Sequence, residues 1–129
     1  MPLEYLGTPP LASDRQARPF SPAVRAGDFI YVSGQVPANA EGEIVAGGIE
    51  VQTRQVMDNL QRVLALAGAT FDDVCKSTCW LQDARDFGAF NQVYASYFAK
   101  EPPARTTAEG RLMLDIKVEI EAVAYAPTK

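Results

Sequence analysis

Hydrophobic and polar positions sort the chain into strands and helices of unequal clarity. Residues 116–125 are the most regular: Ile116, Val118, Ile120, Ala122 and Ala124 alternate with Lys117, Glu119 and Glu121. A period of two puts these sets on opposite faces of a strand, one toward a core and one toward water or a cleft. Residues 49–67 change period. Apolar side chains at 49, 56, 60, 63, 64 and 67 keep three-to-four spacing. The pattern predicts a helix with Gln52, Arg54, Gln55, Asp58, Gln61 and Arg62 outside and Gly68 as its left-handed stop.

The remaining elements follow from shorter signals. Residues 28–33 form a β-rich run ending in Ser33, Gly34 and Gln35 before Pro37, and residues 38–48 read as a loop with a short extended piece at Ile44–Val45. Residues 73–82 read as a strand, followed by a turn at 83–86 in which Asp86 caps a second helix from Phe87 to Ala99. Phe87, Phe90, Tyr94, Tyr97 and Phe98 make an aromatic stripe on that helix. Such a stripe is read as a face packed on a sheet rather than as a ligand groove. Pro102 and Pro103 stop the helix, and residues 104–109 form a strand with Arg105, Thr107 and Glu109 on one face.

Prolines at 9, 10, 19 and 22 make residues 8–22 irregular, and residues 1–18 are an entry segment to one domain spanning 1–129. The predicted order is β-β-α-β-α-β-β, a mixed sheet with two helices on one face in an α+β fold. The other face is left open, and oligomerisation is the usual remedy.

Composition narrows the chemistry. The 129 residues carry 12 basic and 16 acidic side chains, a net charge of −4, with no basic cluster to hold phosphates. No membrane span is visible and the first residues are not a basic-then-apolar leader, so a cytoplasmic protein with neither nucleic-acid nor membrane partners is expected. Histidine is absent, which removes Ser-His and Cys-His nucleophiles and histidine metal sites. Cys75 and Cys79, about 13 Å apart on one strand, are expected as free thiols.

Together, SGQ at 33–35, QTRQVMDNLQRVLALAG, KSTCWLQDARDFGAFNQVY, PPARTT at 102–107 and KVEIEAVA at 117–124 resemble the YjgF/RidA family. The resemblance covers about residues 18 to 125. It implies a chorismate-mutase-like fold, a homotrimer with active sites between subunits, and hydrolysis of 2-imino acids such as 2-iminobutanoate and 2-iminopropanoate without metal or organic cofactor. More specialised substrates, aminoacrylate or 2-aminomuconate, and non-catalytic binding of small carboxylates are the alternatives. Arg105 matches the family's carboxylate-binding arginine, whose planar fork makes two parallel charge-assisted hydrogen bonds. Glu119 matches the glutamate near the reacting water. Phe20, Ser33, Gly34, Gln35, Asn91 and Thr107 match substrate-pocket positions. Phe20 stands where many members have tyrosine, and Thr107 where many have cysteine. The connection around Gly110 looks one residue shorter than in many members.

Overall fold

The computed structural model describes residues 2–8 and 18–128. Six strands form one mixed sheet in the order β1-β2-β3-β6-β4-β5. They are β1 (Glu4–Leu6), β2 (Ala23–Ala26), β3 (Phe29–Gln35), β4 (Val74–Leu81), β5 (Ala104–Glu109) and β6 (Val118–Tyr125), with helices α1 (Ile49–Leu66) and α2 (Phe87–Ala95). Among the described strands only β4 and β5 run parallel. The crossover between them carries α2. None of the described helices is long and apolar enough to cross a membrane.

The alternation in β6 becomes the backbone of the core. Ile116, Val118, Ile120, Ala122 and Ala124 are all buried, and Ile30 and Val32 of β3 pair with Ala124 and Ala122. Val56, Met57, Leu60, Val63 and Leu64 of α1 join the same cluster. Both helices cover this face. On the other face Tyr5, Phe29, Tyr31 and Tyr125 stay 40–66% exposed, and the rings of Phe29 and Tyr125 meet edge to face at 5.1 Å. Gly68 follows α1 at φ 71°, a left-handed conformation that suits a residue without a Cβ.

Several sequence expectations are corrected. Three strands, not two, precede α1, because β1 and β2 form on the edge of β3. The entry segment predicted over 1–18 therefore contains a strand at Glu4–Leu6. Positions 9–17 of that segment lie outside the described residues. The piece at Ile44–Val45 is only a bridge between Ala38 and Ile44. Gln52 is buried, not outward, because its side chain donates to the Val45 carbonyl and accepts from the Lys117 amide. The second helix ends at Ala95, four residues early. Asp86 makes no side-chain cap; Asp83 does the capping, accepting from the Arg85 amide at 2.9 Å ahead of a short 3-10 turn.

Arg25 ties the added strands to the rest. Its guanidinium donates to the carbonyls of Ala67, at the C-terminal end of α1, and Ala126, just past β6, at 2.9 and 2.8 Å. A cation there also complements the carbonyl end of the helix.

Candidate active site

The parallel pairing of β4 and β5 sets Arg105 beside Ser77 and Thr107 beside Cys79, on the face covered by α2. The guanidinium of Arg105 therefore reaches the aromatic stripe. Its central carbon lies 4.8 Å from the Tyr94 ring centre and 5.6 Å from those of Phe87 and Phe90. The electron-rich faces of the rings hold the cation without using its N–H donors. None of the ion pairs among the described residues involves Arg105. The Tyr94 hydroxyl is itself fixed by a buried 2.6 Å hydrogen bond with the Ser77 hydroxyl, and burial pushes its phenol above the usual range.

Beside the guanidinium opens a cavity of about 340 Å³, bounded by Asn91, Tyr94, Phe98, Pro102, Pro103 and Arg105. Its size fits a small organic ligand. The buried side-chain oxygens Asn91 Oδ1 and Thr107 Oγ1 have no hydrogen-bond partner among the described residues. A buried polar atom left so costs roughly 1–3 kcal/mol, which a ligand with complementary groups recovers. Arg105, Asn91 and Thr107 thus come together as a cationic half-site with free polar capacity. Cys79 lies beneath it, but burial pushes its thiol up to about 11, despite the nearby Arg105 charge, so it stays protonated at neutral pH.

The remaining predicted residues gather elsewhere. Val118 and Ile120 face the helices, so Glu119 between them points to the open face, in register with Trp80. Three residues of register and two strands separate it from Arg105, about 10 Å in each direction, with the sheet between. Its side chain lies against Gly34, at a register shift in β3 between Val32 and Gln35. A Cβ on Gly34 would collide with the Glu119 carboxylate and stand 3.1 Å from its carboxyl carbon. Glycine is required there by this close approach. Burial, and secondarily the neighbouring Glu121, raise the Glu119 carboxyl above the usual glutamate range.

Ser33 and Gln35 shape this second half. The Ser33 hydroxyl donates to the Ser21 carbonyl at 2.6 Å and its amide to the Pro22 carbonyl at 2.9 Å. The Gln35 amide nitrogen donates to the Ser33 carbonyl at 2.9 Å. These bonds strap the segment carrying Phe20 alongside β3. Phe20 itself is 45% exposed.

Sequence reasoning missed the ring cage and Ser77. The sequence pattern suggests a packing face alone, and the structure corrects it: Phe90 and Tyr94 do pack in the core, yet with Phe87 they also face Arg105. A helical stripe followed by an arginine after a double proline was the available signal.

The arrangement is that of a single α+β domain with a cationic pocket at one edge of its sheet and a half-buried carboxylate on the opposite face. The chain belongs to the YjgF/RidA family: the sequence model described as Endoribonuclease L-PSP matches residues 12–126. A RutC family protein of Pyrococcus horikoshii is 47% identical over 109 residues, 83% of this chain and 86% of that protein. The 3-aminoacrylate deaminase RutC of Acinetobacter baylyi is 37% identical over 130 residues, 97% of this chain and 99% of that protein. A crystal structure of a Rid family protein from Yersinia pestis superposes with a TM-score of 0.88 at 35% identity, covering 97% of this chain and 100% of the other.

Proposed function

We propose that the protein hydrolyses reactive 2-imino acids and their enamine tautomers to 2-keto acids and ammonia, with 2-iminobutanoate and 2-iminopropanoate as substrates. One observation carries the reading: Arg105 is held over three rings, without an anionic partner among the described residues, at a cavity walled by Asn91 with its unsatisfied oxygen, and Thr107, likewise unsatisfied, lies two residues along β5. A small carboxylate satisfies the guanidinium by two parallel charge-assisted hydrogen bonds. That fixes the electrophilic C=N carbon next to the polar oxygens of Asn91 or Thr107. Water adds to this carbon, its proton passes to nitrogen, and collapse of the adduct releases ammonia and the keto acid. Glu119, with its raised affinity for a proton, suits the transfer.

Glu119 and Arg105 lie on opposite faces of one sheet, so the two half-sites meet only between subunits. A homotrimer with clefts at its interfaces fits this division, and the open sheet face with four exposed aromatic rings supplies a surface to bury. Hydrolysis there proceeds without metal or organic cofactor, in the cytoplasm.

Aminoacrylate is a second substrate to weigh, because the Acinetobacter relative bears that name over nearly the whole chain. The decisive experiment generates 2-iminobutanoate in place with threonine dehydratase and follows its disappearance. Acceleration by the wild type and none by Arg105→Ala is the expected result. No acceleration by the wild type rejects the reading in favour of a specialised substrate or a carboxylate-binding role.

A further inference from the structure

A second cavity, about 210 Å³, lies where β4 and β5 end beneath the start of α2. Leu81, Ala84, Phe87, Thr107, Ala108 and Glu109 wall it. It has no wall residue in common with the Arg105 cavity, but two features link it to Arg105. One is the Phe87 ring, which faces the guanidinium at 5.6 Å. The other is β5, which presents Arg105, Thr107 and Glu109 in succession on one face. The unpartnered Thr107 hydroxyl lies between the clamp and this second space.

The walls are apolar, but the far end is not. Glu109 is fixed there, with Oε1 accepting from the Ala84 amide at 2.7 Å. Asp83, Arg85 and Asp86 lie nearby, and the charges of Asp83, Asp86 and Glu109 act on Arg85. The only cation among these four groups, Arg85, is already bonded to Asp83 through three contacts of 2.7–3.1 Å. Lys117 also acts on Asp83, so the nearby charges are three carboxylates against the engaged guanidinium and one lysine, and Glu109 is the carboxylate that walls the cavity itself.

The geometry points to a subsite for the substrate's side chain, and hence to a substrate class; the inference rests on the imine-hydrolysis reading. With the carboxylate on Arg105, the side chain runs along β5 past Thr107. Arg105 and Glu109 are four residues apart, about 13 Å of strand. A four-carbon imino acid stops short of Glu109. An unbranched apolar stem fills the cavity between Leu81 and Phe87, and a cationic group at its end meets the Glu109 carboxylate. A terminal carboxylate meets repulsion instead. The site therefore selects 2-imino acids with long, cation-tipped side chains over those tipped by a second carboxylate.

The test compares imines released in place from arginine, glutamate and 2-aminobutanoate by amino-acid oxidases with catalase, followed by their capture with semicarbazide. Ratios of kcat/KM between substrates cancel any loss of folded protein in a variant. The wild type is expected to favour the arginine imine over the glutamate imine at least about tenfold, the scale of one charge-assisted contact. Glu109→Gln lowers that ratio, and Glu109→Lys reverses it. A wild-type ratio near one, or a ratio that neither variant moves, overturns the subsite while leaving imine hydrolysis intact. Failure to accelerate even the 2-aminobutanoate imine removes both.

Discussion

The two halves of the candidate site are built by opposite means. Between α2 and β5, a charged group is held by rings that leave its hydrogen-bond donors open, and buried oxygens nearby lack partners. Between β3 and β6, nearly every polar group is already engaged with its own backbone: Ser33 with Ser21, Gln35 with Ser33. Only the Glu119 carboxylate, wedged against Gly34, is left for chemistry. The first half is organised to bind and the second to place one acid. Substitutions should therefore separate affinity from turnover, by half.

Glu119→Gln tests the division most severely. It is expected to lower kcat on 2-iminobutanoate roughly 100- to 1,000-fold, the usual scale for a lost acid–base group, while KM changes little. The pH profile adds a sign. The carboxylate form, which orients water, is present above the raised pKa of Glu119 and lost as pH falls through it. The acidic limb of kcat should thus lie above the ordinary glutamate range, and Glu121→Gln should shift it downward by removing a like charge. A KM effect as large as the kcat effect would erase the distinction between the halves.

Arg105→Lys makes the complementary cut. Charge is kept, but the planar fork and its stacking on Tyr94 are lost. A fall of about 100-fold in kcat/KM is expected, mainly through KM, read by steady-state kinetics and by weaker keto-acid binding in calorimetry. Gly34→Ala should then cost about tenfold in kcat with keto-acid binding retained, because the new methyl displaces the Glu119 carboxylate and touches nothing near Arg105. Equal loss of keto-acid binding in Gly34→Ala would mean that one cleft holds both halves too tightly to divide.

The difference between the halves also governs what the chain reveals before folding. The periods of α1 and β6 are long and regular, so both were legible, as was the face shared by Arg105 and Thr107. β1 and β2 span three and four residues without alternation; they exist because β3 offers an edge and Arg25 pins them to Ala67 and Ala126. Gln52 read as outward because its type is polar, whereas its burial depends on two backbone partners at Val45 and Lys117, far along the chain. Arg105 and Glu119 were identified through the family's motifs, since an arginine after two prolines and one glutamate in an alternating strand are ordinary on their own. The opposite-face placement of Glu119 follows from the alternation itself. The ring cage could not be read, because a helical stripe states which residues share a face and not which cation that face will meet.

The smallest effect concerns the platform under the cation. Tyr94→Phe keeps the ring 4.8 Å from the guanidinium but removes the hydroxyl that Ser77 holds at 2.6 Å. The buried Ser77 hydroxyl then lacks its partner, at a cost of about 1–2 kcal/mol in unfolding free energy by urea denaturation. Freed from that bond, the ring tilts, and KM should rise a few-fold with kcat nearly constant. Ser77→Ala leaves the phenol as the orphan and should act alike. The double variant removes both polar groups and should recover part of the lost stability, since no buried hydroxyl is left unsatisfied. KM should stay raised in the double variant, because the ring is still unanchored. Recovery of KM together with stability would show that the hydrogen bond supports the fold alone, and that the rings of Phe87 and Phe90 suffice to aim the clamp.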